Sequence, residues 1–568
     1  MNTRALLLTT AVLIGFLSVS LRLVDVMLFN HEKYSARAKS QQIKKESIPV
    51  RRGMILDRTG RDLAINIDTE SLFCNPRDVS APADMARALS REINRRPDEI
   101  ITKISGKKRF IWLERKMDRA EAQRIKCLKL SGIGFVPEMK RYYPKGSLAS
   151  HIIGYVNIDN SGIEGIESKY NSYLTASPEE FYVQRDAKGH HLSEGQTKDI
   201  QGNDLILTLD EGLQYILEKN LEEAATHWKA ASATAIMMNP YTGEILAMAS
   251  RPDFDLNSPG NVKPGQRRNR AVTDCYEPGS TFKIIVGAAA LEEKAVTPGM
   301  RFDCSAGSVE VGGRRIKDAH RHGVLTFQEV IQKSSNVGTI KIALKLGKDT
   351  VYDYIRKFGF GNKTGIDLPG EVSGLLRPPD RWSGMSIGAI AIGQEVAVTP
   401  LQVLRAYAVI ANGGSLVKPH LVSEIRSPSG GTLFRAEPEK KRVISAETAR
   451  RFREILKTVT EEGGTATEAA VDGNQVAGKT GTAQLIDPAT RRYSRDKFVS
   501  SFVGFVPADQ PRIAMIVVLH EPKGQIYGGI VAGPVFRKIA DESLSYLGVL
   551  RDDASDKGLL LVSEKKRS

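Results

Sequence analysis

The sequence predicts an α+β fold, an antiparallel sheet flanked by helices, preceded by a β-rich N-terminal module and one apolar N-terminal helix. Three patterns lead there: two apolar hairpins enclosing a helical stretch in the C-terminal half, a mixed-period basic segment ahead of them, and an uncharged run at the start. The chain has 568 residues, and a single core stops growing beyond roughly 250 to 300 residues, so two or more domains are expected. Its 41% hydrophobic and 26% charged residues give the balance of a folded protein, not a disordered or collagen-like one. A net charge of +15 suits nucleic acid or an anionic membrane. No zinc-finger spacing or aromatic-rich basic segment accompanies it, so a membrane surface is expected and nucleic acid is not. Cys74, Cys127, Cys275 and Cys304 are too few and too scattered for a disulfide scaffold or a Cys-based metal site.

Residues 5–21 carry no charge, and continuing through Arg22 and Asp25 to Phe29 gives about 25 helical residues, enough to cross a bilayer with some tilt. Arg22 and Asp25 stand at the i,i+3 spacing at which opposite charges pair on a helix. Ser18 and Ser20 could mark a signal-peptide cleavage site, but apolar residues resume after Arg22, which favours a retained anchor over residues 5–29 with a cytoplasmic tip at 1–4. Flanking charge votes the other way, with Arg4 before the span and Lys33, Arg37, Lys39, Lys44 and Lys45 after it. Long domains translocate largely regardless of charge, so everything beyond the anchor is placed outside the cytoplasm.

Residues 30–205 mix periods and are broken by turn signals such as Asp57-Arg58-Thr59-Gly60 and Asn160-Ser161-Gly162, which reads as a β-rich, non-catalytic module. A strand at Leu205–Leu209 followed by a helix over 211–226, apolar at Leu213, Ile216, Leu217 and Leu221, opens the second domain, 206–548. Apolar runs at 233–238 and 244–250 flank Asn239-Pro240-Tyr241-Thr242-Gly243, a hairpin with turn residues in place. A second hairpin joins 498–506 to 512–520. The tail, 549–568, is expected to be disordered, and no repeat of 20 to 50 residues occurs.

Ser280 and Lys283 open a stretch, Ile284 to Leu291, that is apolar on all sides and reads as a buried helix. Ser280 could simply cap it, but a cation in the first turn opposes the helix dipole, so Lys283 does not suit a structural cap. Burial and the positive helix end would both favour neutral Lys283, a competent base toward a hydroxyl three residues away. Ser-x-x-Lys alone is weak, since Ser105-Gly106-Lys107-Lys108 also matches it in a basic loop. Ser334-Ser335-Asn336 follows a short helix opened by the capping pair Thr326 and Glu329. It reads either as a linker capping the next helix or as Ser334 relaying a proton and Asn336 binding a substrate amide.

Lys479-Thr480-Gly481-Thr482 lies on an expected strand, where Gly481 would let a ligand backbone approach and the edge could pair with an extended peptide. Lys363-Thr364-Gly365 has the same three letters but follows a helix-ending loop. Were Lys479 about 4 Å from Lys283, repulsion of about 4 kcal/mol would lower Lys283 by roughly three pKa units. Asp318, His320 and His322 form a compact group of possible metal ligands, but a solvated loop suits them better and no metal is expected.

Ser-x-x-Lys, Ser-x-Asn and Lys-Thr-Gly in this order are the signature set of penicillin-binding proteins and class A β-lactamases. From about 230 to 545 the chain resembles the penicillin-binding serine acyltransferases. Arg52-Gly53-Met54-Ile55-Leu56-Asp57-Arg58-Thr59-Gly60, Arg141-Tyr142-Tyr143-Pro144 and Gly162-Ile163-Glu164-Gly165-Ile166-Glu167 look like the pedestal (dimerisation-like) motifs of class B penicillin-binding proteins, a module β-lactamases lack. The segment Tyr493 to Pro507 resembles the division-specific, septal branch, with the elongation-specific branch the nearest rival.

The resemblance implies a peptidoglycan D,D-transpeptidase acting on stem peptides that end in D-Ala-D-Ala. Ser280 would attack the penultimate carbonyl, D-alanine would leave, and an amine of a neighbouring stem peptide would take the acyl group. The roles implied are Lys283 as base, Ser334 as relay, Asn336 as amide contact, and Lys479, Thr480 and Thr482 as carboxylate contacts beside Gly481. The N–H groups of Ser280 and Thr482 would form the oxyanion hole. No cofactor is implied. β-Lactams should acylate Ser280, and a membrane glycosyltransferase and other division proteins are the implied partners at the inner membrane. A β-lactam sensor would need a cytoplasmic signalling segment, and four residues precede the span. A decayed division scaffold would not need the polar residues, all of which are present. Ser-Ser-Asn lacks the acid of Ser-Asp-Asn, which favours transfer to an amine over hydrolysis.

Overall fold

A computed structural model describes residues 3–35, 43–47, 51–106, 108–176, 180–184, 200–487, 490 and 492–550. The expected tail beyond 550 and Lys107 of the Ser105 decoy lie outside them. Thr3–Val24 is an α-helix that continues through a π-turn to Phe29, and these 27 residues include an 18-residue stretch with a mean hydropathy of 2.1. None of its residues is buried in protein, so this is a helix long and apolar enough to cross a membrane. Arg22 donates to Asp25 at 2.8 Å, the i,i+3 pair that keeps both charges satisfied near its end.

The chain forms two compact units. The first comprises residues up to 51, 68–139 and 175–202, and the second 52–67, 140–174 and everything from 203. In the first, Glu70–Cys74 pairs antiparallel with Ile111–Met117. Three short helices, Pro82–Glu92, Pro97–Ile104 and Arg119–Cys127, bury Met85, Leu89, Ile100, Ile104 and Ile125 against Leu72 and Leu113. Asp118 and Glu121 close a capping box on the third. These helices, 8 to 11 residues long, are what the mixed periodicity conceals, because one or two turns of amphipathic pattern resemble strand alternation.

The contiguous division at 205 does not describe the compact units, since 52–67 and 140–174 pack with the C-terminal half. A buried ion cluster joins these two segments to each other. Glu167, wholly buried, accepts from Arg52 Nε and from Arg141 Nε, each at 2.6 Å. Arg52 also donates to Asn171 Oδ1 at 2.8 Å and to the Asn160 carbonyl at 3.0 Å, while Arg141 donates to the Gly53 carbonyl at 2.8 Å. Three separate motifs are thereby tied together, and the same segments reach onward. Ile55 pairs in parallel with Leu205, Asp57 accepts from the N–H of Glu211 at 3.1 Å, and Glu218 accepts from the N–H of Ala149 at 2.8 Å. Removing one partner from a buried charge cluster strands the others. Glu167→Ala is therefore expected to destabilise this unit by about 3 to 5 kcal/mol, measured by urea unfolding; a loss under 1 kcal/mol would refute the role.

The second unit is built on a five-stranded antiparallel sheet ordered Ala477–Ile486, Tyr493–Val506, Ile513–His520, Ser232–Met238, Ile245–Arg251. Both expected hairpins are present, the first closed by Asn239, whose side chain accepts from the N–H of Tyr241 at 3.0 Å. Every residue of Ser232–Met238 and Ile245–Arg251 is buried, so both faces of the sheet are covered, which explains their continuous apolar runs. Glu211–His227 packs with Gly533–Tyr546, and Pro400–Ala411 lies against the three central strands. Ala477–Ile486 is an edge strand, paired on one side by Tyr493–Val506.

Candidate active site

Ser280 sits in a single 3-10 turn, Gly279–Phe282, that runs directly into the helix Lys283–Glu292. All but the last residue of that helix are buried, as the all-round apolar pattern requires. Ser280 makes no capping hydrogen bond, so helix capping does not account for it. The turn is pinned from several sides: the Tyr407 hydroxyl donates to the Thr281 carbonyl at 2.9 Å, and the N–H of Gly279 donates to the Gly393 carbonyl at 3.1 Å. Gly279 has φ +55°, in the left-handed region that favours glycine.

The Lys283 side chain is completely buried. Its Nζ donates to the Ser334 carbonyl at 2.6 Å and to Asn336 Oδ1 at 2.8 Å, and lies 3.2 Å from Ser334 Oγ. The first two expected motifs thus meet through Lys283. Burial pushes its pKa down from 10.5 to about 7, against the opposing attraction of Asp318. The repulsion expected from Lys479 is not what lowers it. Lys479, equally buried, falls well below its ordinary value, first through burial and then through Lys283.

Ser334 holds φ +59°, unusual for a residue with a side chain, and this turns its hydroxyl and carbonyl together toward Lys283. Ser335 is the N-cap of the next helix, Asn336–Leu346, accepting from the N–H of Gly338 at 3.0 Å, so capping and chemistry fall on adjacent residues. Asp318, expected in a solvated loop, is held at the start of this helix. Its carboxylate accepts from the N–H groups of Asn336 and Val337, the latter at 3.0 Å, and from Ser335 Oγ at 2.9 Å. It therefore holds the start of the helix bearing Asn336, while His320 and His322 face the cleft. No spacing signal connects Asp318 to this loop 16 residues on; only its place before a Ser-rich helix start hints at it.

Asp318→Asn is expected to cost about 1 to 2 kcal/mol of stability through the weakened cap. Since Asp318 raises the pKa of Lys283, its neutralisation should also move the pH midpoint of active-site acylation downward. Thermal unfolding and a pH–rate profile check both; an upward shift would count against the assignment.

Thr480, Thr482 and Gln484 face the cleft in the alternation of an extended strand. Thr480 shares a hydrogen bond of 3.1 Å with Thr465, and Lys479 Nζ lies 3.3 Å from Thr480 Oγ1, beneath the cleft floor. Gly481 serves a different purpose from the one expected. A Cβ there would sit 2.4 Å from Ser501 Oγ and 2.9 Å from Thr281 Cγ2, so its missing side chain lets the strand lie against the nucleophile turn. The decoy Lys363-Thr364-Gly365 is a loop in which the N–H groups of Thr364 and Gly365 are held by Glu371, at 2.6 and 3.1 Å. The resulting cleft, of about 760 Å3, is lined among others by Ser280, Ser334, Asn336, Thr480 and Thr482.

This is the arrangement of the penicillin-interacting serine enzymes. Residues 233–541 match the family model of the penicillin-binding protein transpeptidase domain, and residues 47–207 match that of the penicillin-binding protein dimerisation domain. Stage V sporulation protein D of Bacillus subtilis is 38% identical over 94% of this chain and 84% of its own length. The peptidoglycan D,D-transpeptidase FtsI of Escherichia coli is 34% identical over 90% of this chain and 86% of its own. Penicillin-binding protein 3 of Mycobacterium tuberculosis, solved with aztreonam, superposes with a TM-score of 0.70 at 29% identity, covering 89% of this chain and 98% of that one. The chain belongs to the class B penicillin-binding proteins and is most like their division-specific, septal members. It is a serine-type D-alanyl-D-alanine transpeptidase of peptidoglycan synthesis, from a family that binds β-lactams.

Proposed function

We propose that this enzyme cross-links stem peptides at the division septum through an acyl-enzyme on Ser280. The single observation that carries the mechanism is the lodging of Lys283 Nζ between two carbonyl oxygens, of Ser334 and Asn336. A neutral amine has two hydrogens, and both are engaged there. Its lone pair is then free to take a proton from a hydroxyl, and a pKa of about 7 makes the neutral form abundant at physiological pH. Lys283 takes the Ser280 proton as Oγ attacks the penultimate carbonyl. Ser334 Oγ, 3.2 Å from Nζ, passes a proton to the departing D-alanine nitrogen. Asn336 Nδ2 donates to the Lys317 carbonyl at 2.9 Å, which fixes its amide with Oδ1 toward Lys283; we assign Asn336 to orienting the base as well as contacting the substrate amide.

Thr480 and Thr482 contact the terminal carboxylate, with Lys479 Nζ supporting the Thr480 hydroxyl from beneath at 3.3 Å. The N–H groups of Ser280 and Thr482 stabilise the oxyanion, each donor being worth roughly 10²-fold or more. The open edge of Ala477–Ile486 accommodates an extended peptide as a further strand. The apolar helix anchors the enzyme in the inner membrane with the catalytic unit outside the cytoplasm, where the substrate lies. The segment Tyr493 to Pro507 supports the septal role. A membrane glycosyltransferase that polymerises the glycan strand, and other division proteins, are the proposed partners. Depletion of the protein tests the assignment: a septal enzyme leaves cells growing as undivided filaments, and an elongation enzyme leaves them rounded.

A further inference from the structure

A second cavity, of about 460 Å3, opens beside the catalytic cleft, and Glu277 lines both. Glu277 stands three residues before the nucleophile, and the proposed roles leave it without a task. Its carboxylate accepts from the N–H of Glu395 at 2.9 Å and from the Tyr493 hydroxyl at 3.0 Å. It is thereby held in place without an ion pair among the described residues. Glu395 adds a second acid to the same cavity. Further round the wall stand Arg314 and Arg377, both exposed and without an ion pair among the described residues. One acid at the mouth shared with the cleft, a second next to it and guanidiniums beyond form a lining for a ligand that carries both charges. Burial raises the Glu277 carboxyl, as it would for an acid lacking its cation.

We propose that this cavity is the acceptor subsite, in which Glu277 and Glu395 receive the ammonium of a neighbouring stem peptide and Arg314 and Arg377 receive a carboxylate next to it. The acceptor is thus an amine on an α-amino-acid end, not a simple alkylamine. This rests on the acyl-enzyme reading. The ammonium sheds one proton to water, and the nitrogen lone pair forms the C–N bond to the acyl carbon. The C–O bond to Ser280 then breaks, and the surplus proton on nitrogen passes through Lys283 to Ser280 Oγ, so no other reactant is needed. Glu277 binds and aims the amine.

The experiment measures how the acyl-enzyme divides between amine and water. The full-length protein in detergent is given a D-alanyl thioester donor, with D-alanine or D-alaninamide as acceptor, and the ratio of transfer to hydrolysis is read. Glu277→Gln is expected to lower that ratio about tenfold or more for both acceptors. The double variant Arg314→Ala/Arg377→Ala, at exposed positions that leave folding intact, should lower it for D-alanine and not for D-alaninamide. Benzylpenicillin adduct formation is followed in parallel. If the unaltered protein forms the adduct while the ratios stay constant in both variants, or the arginine variant treats both acceptors alike, the subsite is refuted and the acyl-enzyme reading stands. If the unaltered protein forms no adduct, both fall together.

Discussion

Ser280→Ala is expected to abolish covalent capture of benzylpenicillin, so that intact-mass spectrometry finds a one-drug adduct on the unaltered protein and none on the variant. Loss of a nucleophile that acts with its base as one unit costs on the order of 10⁴- to 10⁶-fold in the chemical step. Folding should survive, because Ser280 caps nothing and the turn is held by Tyr407 and Gly393. Its unfolding free energy should stay within about 1 kcal/mol of the original. An adduct persisting in the variant would place the nucleophile elsewhere. Rapid turnover of the drug by the unaltered protein would instead mark a hydrolase.

The second large effect concerns Lys283. As a base it works only when neutral, so the rate of acylation should rise with pH through about 7 and level off above it. Lys283→Arg should lose about 10²- to 10⁴-fold at every pH, since a guanidinium does not deprotonate in this range. A flat profile between pH 5.5 and 9, or an arginine variant keeping a tenth of the rate, would remove Lys283 from the role. The same shift has a consequence for stability. The folded pKa lies below the ordinary 10.5, so between about pH 7 and 10.5 the unfolded chain binds more protons at this site. Its contribution to stability therefore rises with pH across that window, and is least favourable below pH 7. Burying Lys283 is a cost the fold carries for having a neutral amine beside the nucleophile.

Much of this was legible beforehand because it is local. The helix behind Ser280 follows from an unbroken apolar run, the hairpins from turn residues between apolar strands, and the capping pair of Thr326 and Glu329 forms as its spacing requires. The Arg22–Asp25 pair needed only helical periodicity. Where expectation and structure part, the deciding contacts are distant in sequence. Gly481 was assigned to a ligand because a bare strand reads that way, and only Ser501 and Thr281 packed against it show that the space belongs to the protein. The depressed pKa of Lys283 follows from the burial that its apolar run predicts, whereas the repulsion expected from Lys479 falls on Lys479 itself and not on Lys283.

The sequence by itself determined the anchor helix, the sheet with its hairpins, the order of the three motifs and hence the chemistry they perform. Periodicity, turn chemistry and residue type act over a few neighbours and are complete in the string. Tertiary structure alone decided that Asp318 holds the Ser334–Asn336 turn, that Glu167 ties Arg52 to Arg141, and that Glu277 stands between two cavities. Each of these depends on desolvation and on partners brought together by folding, and the strength of a charge or hydrogen bond is set by that surrounding medium.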